Sequence, residues 1–364
     1  MMNSMRARVL LPALMLLAKF AFGDAPQPPY REMDAWYSNP DAPNVDLRAT
    51  LTEPLTGGPF PAVLLTQGAG PQDRNETIGP LKPFQVLADY LTRRGIAVLR
   101  ADKRGVGASL GSFKNVTTKG FATDAEAGVR YLQSRSEIDP KQIGLIGHGE
   151  GAIEAVMVAN DIPSIAFVVL LEGTGVPGEQ VLLEQTERAE KAANMPPGQI
   201  KVDRRVGKTL YEMAKQGKSE SEMRAYLFSY ERSEGYDPGF TAHWEKKLNS
   251  FQDPWLRFFL GYDPAPGLAK LRCPVLALSG GKDLQVIAEQ NVPAMKAALA
   301  KDKDARVEIL PGLNYFLQPA QTGLAYEFPT SPVAMSPLAL QKIGDWIAAH
   351  THLSPAAKES PSQS

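Results

Sequence analysis

An α/β architecture is what this sequence predicts: a mostly parallel sheet with helices on both faces and a helical lid inserted between two strands. Three observations lead there. Short, continuous apolar runs of strand length recur along the chain, and helix-length stretches separate them. One long, charged, helix-prone segment then breaks that rhythm. Continuous apolar strands alternating with helices indicate a parallel sheet covered on both sides.

From the N-terminus, Arg6 and Arg8 give a basic start, and Val9 to Leu17 is almost wholly apolar. Ala21-Phe22-Gly23 then sets small residues at the places a leader peptidase reads. Residues 1–23 are therefore expected to be a signal peptide, cleaved near Gly23 or Ala25. The alternative is an uncleaved anchor, but Pro12 and Lys19 interrupt a run that would need about 20 apolar residues to span a bilayer. No second run of that length follows. The expectation is a secreted or periplasmic protein with no membrane span after cleavage.

A polar, proline-rich leader (Ala25 to Pro29) precedes the folded domain, expected over residues 30–350. Asn44 to Thr52 alternates apolar and polar residues, as an early antiparallel strand should. Buried strands are expected at Ala62–Thr66, Ile96–Arg100, Ile143–Gly147, Ile165–Leu171, Val275–Ser279 and Arg306–Leu310. Helices are expected at Phe84–Arg94, Phe121–Arg135, Gly151–Ala159, Ala288–Ala300 and Pro337–Ala349. The interrupting segment, Gly175 to Tyr262, offers helices at Gln180–Ala193, Val202–Gln216, Ser219–Tyr230 and His243–Leu260. It is the lid (about residues 175–262) rather than a separate domain, because it sits between two strands of the sheet. Residues 354–364 are polar and rich in Ser and Pro, and are expected to be a disordered tail.

Composition excludes some functions. The 39 Lys and Arg balance 40 Asp and Glu, and no basic stripe appears, so nucleic acid is not an expected partner. The single cysteine, Cys273, rules out an internal disulfide, and its setting in an apolar strand predicts a buried structural thiol. Gly207-Lys-Thr209 lacks the earlier glycine and the preceding strand of a phosphate loop. Asp73, Glu76 and Asp102 do not combine with histidines at metal-ligand spacing. No cofactor and no metal are expected. Asn75-Glu-Thr77 and Asn115-Val-Thr117 fit the glycosylation sequon and matter only in a host that glycosylates.

The informative motif is Gly147-His-Gly-Glu-Gly151, which follows an apolar strand and opens a helix. That is the setting of a nucleophile elbow, G-x-S-x-G, where small residues two before and two after the nucleophile let the turn close. Gly147 and Gly151 meet that need. The central residue, which should carry a hydroxyl, is Gly149.

Four further passages accompany it in order: Gln67-Gly-Ala-Gly-Pro-Gln-Asp-Arg-Asn-Glu76, Asp102-Lys-Arg-Gly-Val-Gly-Ala-Ser109, Gly280-Gly-Lys-Asp-Leu-Gln-Val286 and Leu310-Pro-Gly-Leu-Asn-Tyr-Phe316. Together they resemble the secreted or periplasmic α/β-hydrolase esterases of the serine-aminopeptidase-like group, from about Asp46 to Ala349. The resemblance implies the α/β-hydrolase fold. It also implies Asp283 as the catalytic acid position, retained, and Tyr315 as the position of the catalytic histidine, lost. The loop Gln67-Gly-Ala-Gly70 matches the oxyanion loop. There the N–H of Ala69, with that of Glu150 at a helix N-terminus, would converge on a carbonyl oxygen.

These replacements weigh against catalysis. Loss of the serine alone costs on the order of 10⁶ in turnover in a serine protease. Loss of the histidine removes the base that works near neutral pH. A tyrosine phenol titrates near 10, and a carboxylate beside it pushes that higher. About 10³–10⁴-fold acceleration can survive from an oxyanion hole and binding. Substitute groups are few. His148 is expected to point into the fold, His243 to lie on a solvated lid face or reach the pocket, and His350 and His352 to be exposed. Ser109 is expected to shape its turn, and Glu150 is a conceivable base for water.

The expected function is a non-catalytic pseudoenzyme binding a small ester, amide or carboxylate ligand. The alternative is a weak or atypical carboxylic-ester or amide hydrolase working through Glu150, Tyr315 or His243. A third, weaker reading is a non-hydrolytic reaction on the same fold. No protein partner is indicated. Because elbow nucleophiles sit in left-handed backbone, Gly149→Ser is expected to lower thermal stability slightly.

Overall fold

A computed structural model describes residues 28–236 and 239–352. The expected signal peptide (residues 1–23) and the expected tail (residues 354–364) lie outside the described residues. In chain order the elements begin with strands β1 (Tyr30–Ser38), β2 (Asp46–Pro54) and β3 (Phe60–Thr66), followed by helix α1 (Pro83–Thr92) and strand β4 (Ala97–Ala101). Helix α2 (Thr118–Gln133), strand β5 (Ile138–His148), helix α3 (Glu150–Asp161) and strand β6 (Val168–Leu171) complete the first half.

The eight strands form one sheet in the order β1-β2-β4-β3-β5-β6, continued by β7 (Val275–Gly280) and β8 (Arg306–Leu310). β1 and β2 pair antiparallel, as do β2 and β4, and every pairing beyond them is parallel. All seven residues of β3 and all four of β6 are buried, as strands covered on both faces must be. One core packs Leu64, Leu145, Leu170 and Ala277 against α2 and α3. The opposite face packs Val63, Ile146, Val169 and Leu278 against α1 and the C-terminal helix Pro337–Ala349.

Between β6 and β7 the chain is helical. α4 (Gly178–Ala192), α5 (Pro197–Lys215), α6 (Glu220–Glu234), α7 (Ala242–Glu245) and α8 (Pro254–Gly261) enclose a core of their own around the fully buried Trp244. α6 starts with a reciprocal capping box between Ser219 and Glu222 and stops at Gly235 in the left-handed conformation. The single helix expected over His243–Leu260 is divided. A 3₁₀ turn at Leu248–Gln252 intervenes, and the Asp253 side chain caps a new helix with Pro254 at its first position. α9 (Ala265–Leu268) leads into β7, and α10 (Ala288–Ala298) connects β7 to β8.

Three further readings need correction. β1 was not foreseen; it is an edge strand with Trp36 outward and only Ala35 and Tyr37 fully buried, so its pattern is weak. Cys273 lies before β7 rather than within a strand and is half-buried, though burial still pushes its thiol up to about 11. His350 is half-buried, stacked 4.1 Å from the Trp346 ring centre, whereas His352 is exposed as expected.

Candidate functional site

Four parallel strands end side by side. Register pairs Thr66 with Gly147, His148 with Leu171 and Leu171 with Leu278. The loops that begin at Gln67, Gly149, Glu172 and Gly281 therefore open on the same edge of the sheet, where ligands of open α/β sheets gather.

Gly149 joins β5 to α3 with φ 53° and ψ −113°. The turn around it is closed by main chain on main chain. A Cβ at Gly147 would lie 2.1 Å from the carbonyl oxygen of Gly151, and one at Gly151 would lie 2.1 Å from that of Thr66. Those two glycines are required by close approach. At Gly149 the obstacle is different: a Cβ there would stand 2.0 Å from the hydroxyl oxygen of Tyr315. The phenol fills the volume into which a side chain at 149 would project. Overlap with the phenol therefore adds to the backbone strain expected of Gly149→Ser.

Tyr315 is held by aromatic neighbours. Its ring centre is 4.3 Å from that of His148 and 5.2 Å from that of Phe316. Its loop is shaped by the buried Asn314, whose Oδ1 accepts from the N–H groups of Phe316 and Gln318, each at 3.0 Å. Burial foremost, then the carboxyl groups of Glu76, Asp283, Glu172 and Glu150, hold the phenol protonated well above its usual value.

His148 points into the fold. Nδ1 is 2.8 Å from Glu76 Oε1 and Nε2 is 2.8 Å from the carbonyl oxygen of Tyr315. Both partners offer acceptor oxygens, which suits an imidazole protonated at both nitrogens. Glu76 also accepts the N–H of Gly68 at 2.6 Å. Burial opposes the imidazolium, but the Glu76 charge and the two hydrogen bonds outweigh it and raise His148 above the usual histidine value. Engaged at both nitrogens, His148 has no lone pair to offer as a base.

Asp283 follows β7 and faces no imidazole lone pair. Its oxygens accept the N–H groups of Gln285 (2.6 Å) and Val286 (3.2 Å). Its other neighbour is Glu172, fully buried at the end of β6, whose Oε1 accepts the N–H of Gly280 at 2.6 Å. Burial pushes Asp283 up to about 6, and burial together with the neighbouring Asp283 charge raises Glu172 well above the usual carboxylate value. Glu172 Oε2 is buried without a hydrogen-bond partner among the described residues.

Glu150, at the start of α3, has its carboxylate committed. It accepts from Lys103 Nζ (3.2 Å), Thr118 Oγ1 (2.8 Å) and Trp255 Nε1 (2.6 Å). Lys103 also donates to the carbonyl of Gly68 at 2.8 Å and lies 3.6 Å from Glu154. The backbone N–H groups tell a different story. Among the described residues, neither Ala69 N–H nor Glu150 N–H donates to a protein acceptor.

Ala69, Gly149, Glu150 and Tyr315 line one cavity of about 280 Å³. The lid closes it with Val181, Leu182 and Gln185 from α4 and with Trp255 and Phe259 from α8, whose rings stack 5.5 Å apart. Thr174, Gln285 and Val286 complete the wall, and the amides of Gln185 and Gln285 hydrogen-bond across it. His243 is not part of it; that ring lies on the lid 3.2 Å from Asp203. Ser109 is a buried turn residue, donating to the Asp102 carbonyl and accepting from the N–H of Arg48, each at 2.8 Å.

The sequence reading missed Glu172, the charge state of the Glu76–His148 pair, and the lid residues of the cavity. Glu172 carried a usable signal, since it is an acidic residue directly ending an apolar parallel strand, as Asp283 nearly is. Trp255 and Phe259 carried none, because aromatic residues on a lid helix look alike whether they face a cavity or a core.

Over residues 63–322 the chain matches the model of the Alpha/beta hydrolase family. It is similar to Esterase EstD of Thermotoga maritima, with 26% identity over 271 residues, or 74% of this chain and 58% of EstD. An uncharacterized protein of Mycobacterium tuberculosis is 34% identical over 114 residues, 31% of this chain and 37% of its own. The chain thus spans less than two thirds of the length of either relative. Among solved structures, the Pyrococcus furiosus esterase Pf2001 has a TM-score of 0.54 at 16% identity, covering 87% of this chain and 91% of that one. The alpha/beta hydrolase GrgF from Penicillium sp. sh18 has a TM-score of 0.52 at 15% identity, covering 88% and 99%. At such identities the structural likeness speaks for the fold.

Proposed function

Because this chain belongs to the alpha/beta hydrolase family, we propose that it is an esterase-like member that no longer catalyses and keeps its cavity to bind a small ester, amide or carboxylate ligand. The observation that carries this reading is the Tyr315 hydroxyl standing 2.0 Å from the place of a side-chain carbon on Gly149. Hydrolysis through a covalent intermediate needs a nucleophile at that point and a base beside it. Gly149 supplies no nucleophile, and Tyr315 is a phenol held protonated. His148 has both nitrogens occupied, and the Glu150 carboxylate is committed to three donors. The cavity and its two free N–H groups support retained binding, since backbone donors at a helix start suit a carbonyl or carboxylate oxygen.

The test is turnover of short-chain p-nitrophenyl esters by the wild-type protein beside the Gly149→Ser/Tyr315→His double variant. The expected result is a silent wild type and a double variant that hydrolyses ester. Wild-type turnover well above a protein-free control sinks the proposal in favour of a weak or atypical ester or amide hydrolase. Glu150, Tyr315 and His243 would then be mutated next.

A further inference from the structure

We propose that Tyr315 is itself a ligand-binding residue, its hydroxyl acting with the N–H groups of Ala69 and Glu150 as a third donor to one acceptor, and that the cavity takes an uncharged carbonyl compound in preference to a carboxylate. This rests on the binding role proposed above and narrows its ligand class.

The placement of the hydroxyl comes first. It lies 2.0 Å from the Cβ position of Gly149 and 2.9 Å from that of Gly68. These glycines immediately precede Glu150 and Ala69, the residues whose N–H groups are free among the described residues. Tyr315 lines the cavity with both of them. Its hydroxyl has no hydrogen-bond partner among the described residues, and it is not one of the sealed polar atoms. A phenol kept neutral by its surroundings can donate to a ligand oxygen across the whole working range of pH.

Charge decides the ligand class. Among the described residues, no Lys, Arg or His lines the cavity. The two cations behind its walls are already matched, Lys103 by Glu150 and Glu154, and His148 by Glu76. The acidic pair Asp283 and Glu172 also lies near Tyr315, and among the described residues neither carboxyl forms an ion pair with a Lys or Arg. A carboxylate entering this cavity would give up its water and meet no free positive side chain. The start of α3 offers only about half a unit of positive charge in compensation. A neutral ester or amide oxygen takes the same donors without that loss.

Shape narrows the class further. The cavity is at the small end for ligand sites. Trp255 and Phe259 form a flat aromatic wall, which suits a compact aryl or branched acyl group.

The experiment is calorimetric titration of wild type and Tyr315→Phe with methyl benzoate, benzamide, benzoate and propylbenzene at pH 7. The phenylalanine variant keeps the ring and removes only the hydroxyl, and its melting curve checks that it folds. Wild type should bind methyl benzoate and benzamide at least tenfold more tightly than benzoate. The substitution should weaken both carbonyl ligands about 3- to 10-fold, as loss of one hydrogen bond does, and leave propylbenzene unchanged. Equal or tighter binding of benzoate overturns the preference for uncharged ligands, while the binding role above would stand. Equal weakening of all four probes, or no weakening of any, overturns the role of Tyr315. Failure of every probe to bind wild type removes this inference together with the reading on which it rests.

Discussion

The two sides of the strand-end cavity differ in what builds them. One side is main chain: the Gly147–Gly151 turn, the loop at Ala69 and the two free N–H groups. The other is side chain: Tyr315, His148 with Glu76, and Asp283 with Glu172. On the proposed reading, the main-chain side keeps the form a hydrolase would need, while the side-chain side lacks the groups that would do the chemistry. The difference has a physical source. The turn packs main chain so closely that a Cβ at Gly147 or at Gly151 would lie 2.1 Å from a carbonyl oxygen, which forbids change at both positions. The tip of a side chain is not constrained in that way. Once position 149 has no side chain, a neighbouring ring can occupy the space and keep the site packed.

If the side-chain side is held by charge, the largest change in stability should come from Glu76→Gln. It leaves His148 buried at 3% exposure with no carboxylate. Breaking such a pair from one end costs about 3 kcal/mol, to be read from urea unfolding. A loss under about 1 kcal/mol would mean that the imidazole is neutral and the pair merely hydrogen-bonded.

Next in size is Gly149→Ser. Left-handed backbone and overlap with the Tyr315 hydroxyl together should cost about 1–3 kcal/mol. The overlap is a property of the pair, so Tyr315→Phe should relieve part of that loss, with a coupling of about 1–2 kcal/mol in a double-mutant cycle. Strict additivity would show that the phenol swings away freely, and the packed contact between positions 149 and 315 would have to be abandoned.

The smallest effect concerns pH. Asp283 is raised to about 6, Glu172 is raised well above the usual carboxylate value, and the buried Glu154 is raised to about 8. Their native values lie above the unfolded ones, so the folded state binds more protons. Stability they contribute is present at low pH and is lost as pH rises from about 4 towards 8. His148, also raised, adds a loss of the same sign at higher pH. Glu172→Gln removes one ionisable member of the acidic pair and should flatten the decline in this window by roughly 1 kcal/mol. An unaltered slope in unfolding measured at several pH values would show that burial beside Asp283 does not raise Glu172.

The alternation of buried strands and helices was legible in the sequence because apolar runs report burial locally. So was the tight turn, since only glycine at 147 and 151 lets two backbones meet, and the absence of serine at 149 and histidine at 315 is a plain fact of the chain. The edge strand β1 and the division of the expected His243–Leu260 helix were less legible. The first buries little, and the second depends on one aspartate cap before a proline.

What only the tertiary structure decided is which side chains meet. Glu76 and His148 are 72 residues apart, and Trp255 reaches Glu150 from 105 residues away. Tyr315 comes to fill the space beside Gly149 through the order of the sheet and the packing of its ring on His148. The sequence by itself determined the scaffold and the presence of glycine at 149 and tyrosine at 315, because periodicity and residue identity are local. The filled turn, the buried acidic pair and the lining of the cavity were settled by sheet order and side-chain packing, which bring distant residues to one strand edge.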